Sequence, residues 1–369
     1  MKKVNVTAVV LAAGVSSRMG ELKPLMTLGG TTIIEHVIRM FRAAGVEEIR
    51  VVIGFRAAEI SAVLKPLNVH AVLNESYSEG MFSSIKVGLR SLKPNCDAFF
   101  ILPTDVPLVR PGTASALLAN FRPRHILYPV FRKRRGHPPL ISTVFMRDIL
   151  DYRGQGGLRS LLEQNESSAI DVNVADEGIL FDMDTKQDYR HILLKYQKKQ
   201  IPTREECMAL MKEIFLVEKE VIDHCQAVAE VAVALGKALK KVGNDLDLDL
   251  IAAAGLLHDL ARKQSDHARR AERILCQLGY PDVAGIVGAH MDISLGDRKS
   301  ISEREVVFLA DKLVQGSRMV DLELRFKTKM KQYASDPDIF SMINDRLQSA
   351  LMVKHQLEQL TGKSIKAMI

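Results

Sequence analysis

The sequence predicts an α/β domain built on a mostly parallel sheet, followed by an all-α domain. Three observations carry this. Up to about residue 190, short β-rich runs alternate with helical patterns. The basic stretch YRHILLKYQKKQIP then closes on Ile201-Pro202, which reads as a helix end and linker. Beyond it, apolar residues recur at helical spacing, as in VAEVAVALGKAL and LIAAAGLLHDLA. A chain of 369 residues is long for one core. Domains are expected over 1–195 and 203–369.

The elements follow in order. VTAVVLAAG, ending at Gly14, reads as a buried strand, and TTIIEHVIRMFRAAG (31–45) as a helix ending at Gly45. EIRVVIG (48–54) is the next strand, followed by a helix through Leu64 and the strand HAVLN (70–74). DAFFILPTDVP (97–107) is an apolar strand that runs into a turn. In such a sheet, ligands bind beyond the carboxyl ends of the strands. Gly14, Asn74 and Asp105 all fall just past strand ends. After the linker, Thr203 and Glu206 have the spacing of a capping box.

Composition narrows the function classes. Hydrophobic and charged contents of 47% and 26% are ordinary for a soluble globular protein. No apolar stretch approaches the ~20 residues that span a bilayer, so no membrane partner is expected. The start MKKVNVTAVVLAAG has the lysines and apolar run of a leader. That run is short and passes into a charged segment with its own chemistry, so a cytoplasmic protein is expected. Cys96, Cys207, Cys225 and Cys276 form no CxxC pair, which indicates neither a disulfide framework nor a zinc ribbon.

A net charge of +7 fits anionic partners without selecting one. The run Arg132, Lys133, Arg134, Arg135 reads equally as a solvated hairpin tip or a phosphate-facing edge. Aromatic content is 5%, Trp is absent and no stacking motif is present, so nucleic acid is not an expected partner.

The stretch LAAGVSSRMGELKPL (11–25) carries the first chemistry. A glycine-containing loop after a strand aims backbone N–H groups at phosphates, and Arg18 and Lys23 add fixed positive charge. Neither GxGxxG nor GxxxxGK[ST] is present, which argues against a dinucleotide fingerprint and a Walker-type loop. On spacing alone, a reading of Gly14 and Gly20 as plain turns stays open.

This stretch resembles the signature of nucleotidyltransferases of the molybdenum-cofactor type: LAAG, then SxRMG, then a lysine. NESYSEGMFSSIKVGL (74–89), FILPTDVPLV (100–109), RGHPPLI (135–141) and FDMDTKQDY (181–189) resemble further segments of that family, in order, across residues 4–190. The resemblance implies a Rossmann-like nucleotidyltransferase domain that transfers CMP from CTP to the phosphate of a molybdopterin-type cofactor. It implies catalytic roles for Arg18, Lys23, Asp105 and Asp184, with Mg²⁺ on Asp105 and Asp184 and Asp182 as a nearby substitute. Nucleotide contacts are implied at Leu11, Ala12, Ala13, Gly14, Arg18, Lys23, Asn74, Gly80 and Ser84. Acceptor contacts are implied at Met81, His137 and Pro138. An apo molybdenum hydroxylase or its chaperone follows as a further partner. LAAG is typical of the cytidylyl branch, where the guanylyl branch reads LAGG. Two positions depart from the pattern: Gln155 stands where Asp is usual, and Lys186 where Pro is usual.

In the second half, HCQAVAEVA, LLHDLA and LADKLV place His224, His258, Asp259 and Asp311 in the order H, HD, D. An adjacent His-Asp pair on an apolar helix points to a metal, because a buried carboxylate costs several kcal/mol unless it is paired or metal-bound. Imidazole and carboxylate together suit Mn, Fe or Zn. The pattern resembles the HD phosphohydrolase superfamily over about 215–320. DHARRAERIL and VGAHMDI put His267 and His290 where its two-metal members carry extra histidines. The resemblance implies one or two divalent metals and hydrolysis at phosphorus.

Rival readings keep the transferase class but change the acceptor to a sugar phosphate, or change the nucleotide to GTP. Another makes the chain a cofactor-binding chaperone with a regulatory HD domain. A transfer-RNA nucleotidyltransferase is disfavoured, since its closely spaced aspartates after Gly-Ser are absent.

Overall fold

The computed structural model describes residues 4–15, 19–293 and 301–369. Arg18 lies outside the described residues. The chain divides into two compact units, Met1–Lys198 and Lys199–Ile369.

The first unit is built on an eight-stranded sheet. Its strands are β1 (Val6–Ala12), β2 (Glu48–Ile53), β3 (His70–Leu73), β4 (Ala98–Pro103), β5 (Ile126–Phe131), β6 (Arg134–Arg135), β7 (Leu140–Ser142) and β8 (Ala169–Asn173). Across the sheet the order is β8-β5-β7-β4-β1-β2-β3, with β6 paired to β5. Pairing is parallel for β3-β2-β1-β4 and for β5-β8. It is antiparallel where β7 inserts between β4 and β5. Three residues are too few to show a period, so β7 was invisible to pattern reading.

The central strands are apolar on both faces because helices cover both. Ala8, Val9 and Val10 of β1 and Phe99, Phe100 and Leu102 of β4 are fully buried. Helix Ile33–Ala43 starts on a capping box, with Thr32 N–H donating to Glu35 Oε2 at 2.8 Å, and stops at Gly45, whose φ is +83°. Strand order reverses between β1 and β4. That is where an open α/β sheet forms its ligand crevice.

Among its described residues, the second unit is helical apart from the short ribbon Val314–Gln315/Arg318–Met319. Helix Lys219–Lys241 packs against helix Leu248–Leu257. They approach closely because a Cβ on Gly255 would lie 2.8 Å from Ala229 Cα. Helix Glu303–Leu313 is buried along most of its length and crosses the first of these. Among the described residues, no helix is long and apolar enough to cross a membrane.

Candidate functional sites

In the first unit the ends of β1 and β4 are tied together. Thr104 donates to the Leu11 carbonyl through both N–H (3.1 Å) and Oγ1 (3.2 Å). Leu11, Ala12 and Ala13 are buried, and the chain emerges at Gly14, where an added Cβ would meet nothing within 4 Å among the described residues. Backbone is therefore presented openly at the point where β1 ends.

Lys23 opens a short 3₁₀ turn with Pro24 and points back to the crevice. Its Nζ lies 2.8 Å from Asp184 Oδ1 and 3.5 Å from Asp105 Oδ2. Asp105 follows β4, whereas Asp184 sits in a loop directly before Thr185, the N-cap of helix Lys186–Gln197. Two hydrogen-bonding features hold that loop in place. Met183 N–H donates to the Asp105 carbonyl at 2.8 Å, and Asp188 Oδ2 accepts from the N–H groups of Asp184 and Thr185.

Burial raises the Asp105 carboxyl above its ordinary value; Lys23 and His137 oppose this, while Asp182 and Asp184 add to it. Three carboxylates thus crowd a half-buried site that a cation would relieve. Burial lowers His137, against the pull of Asp182 and Asp105, so its ring is neutral at neutral pH. Among the described residues its Nδ1, just before the buried Pro138, is buried without a hydrogen-bond partner. The structure therefore brings Lys23, Asp105, Asp184, Asp182 and His137 together.

Asn74, Gly80, Met81 and Ser84 form a second group beyond the end of β3. Asn74 Nδ2 donates to Ser83 Oγ and Ser84 Oγ, both at 2.9 Å, and its Oδ1 accepts from Ser76 N–H. Both ends of the Asn74 amide are thus engaged within the protein. Gly80, with φ +99°, turns the chain into helix Met81–Arg90, and Met81 is exposed at its start.

The basic run is a hairpin tip. Arg132 and Lys133 take positive φ at the turn, and Arg135 pairs with Glu166 and Asp171 while covering the Tyr128 ring.

The second unit gathers all six predicted ligands. His224 is on helix Lys219–Lys241, His258 caps helix Leu248–Leu257, and His267 opens helix His267–Gln277. His290 follows helix Pro281–Gly288, and Asp311 is on helix Glu303–Leu313. Backbone carbonyls orient three of the rings: Nδ1 of His224 meets Gly316, that of His258 meets Gly255 and that of His290 meets Val287, at 2.8, 2.8 and 2.6 Å. Each Nε2 is thereby left for a metal, the usual supporting arrangement for a ligating histidine. His258 Nε2 is buried and, among the described residues, has no hydrogen-bond partner.

Asp259 serves two groups. Its Oδ2 lies 3.5 Å from His258 Nε2 and 3.9 Å from His224 Nε2, while Oδ1 lies 3.5 Å from His267 and 3.8 Å from His290. Donor atoms of His224, His258 and Asp259 all lie within 4.8 Å of one another, as do those of Asp259, His267 and His290. Asp311 Oδ1 adds to the first group, 3.3 Å from His224 Nε2. These nitrogen and oxygen donors fit one divalent transition metal, with a second set sharing Asp259.

Electrostatics agree with a charged centre. Burial works against ionised Asp311, but Lys312, the His224 hydrogen bond and His258 hold its carboxyl well below the usual range. Burial, reinforced by His258 and Lys312, pushes His290 down to about 3, leaving it in the neutral form that metal binding requires. Pattern reading missed the cations that support the carboxylates. Lys312 is 5% exposed and donates to Asp311 Oδ2 at 2.6 Å and to the His290 carbonyl at 3.0 Å. Arg262 pairs with Asp259, and Arg325 donates to the carbonyls of Asp311, Lys312 and Val314. Only the Asp-Lys adjacency was visible in sequence, and a lysine is usually solvated.

The fold and sites define a chain with a strand-end α/β crevice that sets Lys23 among carboxylates in one unit and a histidine-aspartate cluster with the donor atoms to hold a metal in the other. Residues 8–169 match the MobA-like NTP transferase domain and residues 221–315 match the HD domain, so the chain carries a nucleotidyltransferase-family domain and an HD domain. Nicotine blue oxidoreductase of Paenarthrobacter nicotinovorans is 28% identical over 195 residues, covering 50% of this chain and 95% of that protein. Molybdenum cofactor cytidylyltransferase of Escherichia coli is 22% identical over 185 residues, covering 50% and 93%. A solved nucleotidyl transferase from Methanothermobacter is 25% identical, with a TM-score of 0.48, covering 53% of this chain and 98% of that one.

Proposed function

We propose that the first unit transfers CMP from CTP to the phosphate of a molybdopterin-type cofactor, and that the second is a divalent-metal phosphohydrolase. What supports the transferase reading most is the meeting of Lys23, Asp105 and Asp184 at the β1/β4 crevice. Asp105 and Asp184 would hold Mg²⁺, which when bound neutralises phosphate charge. Lys23 turns its charge to the triphosphate, and the open backbone at Gly14 lets phosphate approach. Neutral His137 orients the acceptor through Nδ1. An acceptor phosphate oxygen, already deprotonated, attacks the α-phosphorus; a new P–O bond forms there and the bond to pyrophosphate breaks. Positioning two anions and shielding their charge is most of what this chemistry asks of a protein.

The name of the Escherichia coli relative supports the acceptor and nucleotide. One relative bears the name of an oxidoreductase, so the choice of chemistry rests on these site residues. Incubation with each nucleoside triphosphate and molybdopterin, following pyrophosphate and dinucleotide, tests it. No pyrophosphate release with any triphosphate would rule the reading out.

For the second unit, the free Nε2 of His258 and the shared Asp259 carry the reading. A bound divalent metal would supply a hydrolytic nucleophile near neutral pH. The residues themselves fix the imidazole tautomers, and Arg262 adds positive charge beside Asp259 for an anionic substrate. Phosphate esters or anhydrides are the proposed substrates. Elemental analysis of the purified chain and a phosphatase screen test this; a metal-free protein indifferent to chelator would exclude it.

A further inference from the structure

The second unit carries a cavity of about 460 Å³ that includes none of the His/Asp ligands. Its floor is the face of helix Lys219–Lys241 bearing Ala229, Val233, Ala234 and Ala238, joined by Ala252 from the neighbouring helix. Small side chains at these positions are what leave the volume open. The volume falls in the range of small-molecule pockets, roughly 300–1,000 Å³.

The lining is strongly one-signed. Arg204, Lys237, Lys241 and Lys363 lie on it against a single carboxylate, Glu230. Lys237 and Lys241, near the helix C-terminus, suit the helix dipole without any ligand. Lys363, just past the C-cap Gly362 of helix Pro337–Thr361, suits a dipole too, but Arg204 does not: it opens helix Arg204–Ala209, where a cation is disfavoured, and it still lines the same cavity as the three lysines. Among the described residues, none of the four has a carboxylate within ion-pair distance. Four unpaired cations around an apolar floor match an anion attached to a flat apolar body.

We propose that this cavity binds a phosphorylated small molecule of nucleotide size, its flat body on the alanine floor and its phosphate or diphosphate on the four cations. The site stands apart from both proposed activities. Its floor is one residue layer from the metal centre, since Ala229 touches Gly255 and the Gly255 carbonyl orients His258.

Full-length protein titrated calorimetrically with ADP in the absence of Mg²⁺ tests this, as wild type, Lys237→Gln/Lys241→Gln and Ala238→Phe. ADP should bind the wild type. Its Kd should rise about tenfold or more in the charge variant, the scale of losing charge-assisted bonds. Binding should vanish in the variant whose floor is filled. Both lysines are exposed, so the charge variant keeps its fold even if Ala238→Phe does not. Inorganic pyrophosphate, which has no body for the floor, should bind more weakly than ADP. No ADP binding to the wild type, unchanged binding in both variants, or equal binding of pyrophosphate and ADP would each overturn the proposal. Lys23→Ala should leave this binding intact; its loss in that variant would place the nucleotide in the first unit and overturn the assignment.

Discussion

Lys312 Nζ holds one oxygen of Asp311 at 2.6 Å, while the other oxygen faces His224 Nε2 at 3.3 Å. The two carboxylates of the metal centre are therefore unlike. Asp259 turns one oxygen to each histidine group, with Arg262 paired to the oxygen that faces His224 and His258, whereas Asp311 turns a single oxygen to His224 and His258 alone. Lys312 also donates to the His290 carbonyl, so a single buried ammonium braces a ligand from each group.

Lys312→Met keeps the length of the side chain and removes the charge. Metal affinity should fall about ten- to a hundredfold, as when outer partners of metal ligands are removed. Competition with a chelating dye would measure it. Unchanged affinity would mean that Lys312 only fills space.

Asp105→Ala should leave the first unit folded, because burial already raises the cost of its charge. Mg²⁺-dependent pyrophosphate release should drop by about a hundredfold or more, the scale of losing a key electrostatic stabiliser. Lys23→Ala should weaken triphosphate handling to a similar degree. Activity within about threefold of wild type in a coupled pyrophosphate assay would remove Asp105 from the proposed site.

What was legible in the sequence, and what was not, follows from how far each feature reaches along the chain. The runs around Val9 and Phe100 announced central strands because both of their faces are buried. His224, His258, Asp259 and Asp311 were legible because residue type and order survive without coordinates. The meeting of Lys23 with Asp184 spans 161 positions, and no local period encodes it. Lys312 looked like any surface lysine until burial was known. The alanines at 229, 234 and 238 looked like ordinary helix-formers, and only the surrounding cations make them a floor.

The proposed cytidylyl reading makes Ala13, which is 3% exposed at the end of β1 and against Gly54 beyond β2, the test of nucleotide preference. CTP should exceed GTP in kcat/KM by roughly ten- to a few hundredfold, the discrimination one steric contact supplies. A preference for GTP in the same assay would reject the cytidylyl reading while leaving a nucleotidyltransferase.

His137 gives the first unit a pH signature. Its folded value lies below the ordinary 6.5, so between the two the unfolded chain binds more protons. Stability from this group is complete above 6.5 and is lost as pH falls toward the folded value. Asp105 is shifted upward and contributes the opposite slope; His137 is one of the groups holding it down, so only the remainder of that slope is common to wild type and His137→Gln. The difference in Tm between them, measured from pH 7.5 to 5 without ligand, should shift against the wild type as pH falls. A difference independent of pH would show that His137 titrates normally.

Gly255 and Gly285 make opposite predictions from the same substitution. Alanine in a helix interior gains roughly 1 kcal/mol over glycine where nothing obstructs it. Gly285, inside helix Pro281–Gly288, has nothing within 4 Å of an added Cβ, so Gly285→Ala should raise Tm slightly. At Gly255 the Cβ would sit 2.8 Å from Ala229 Cα, and backbone cannot swing aside as a long side chain can. Overpacking costs about 1–3 kcal/mol and outweighs the helical gain. Gly255→Ala should therefore lower Tm and, by moving the carbonyl that orients His258, lower metal content as well. Full metal retention with a lowered Tm would separate helix packing from the metal site; a raised Tm would mean the two helices are not in close contact at Gly255.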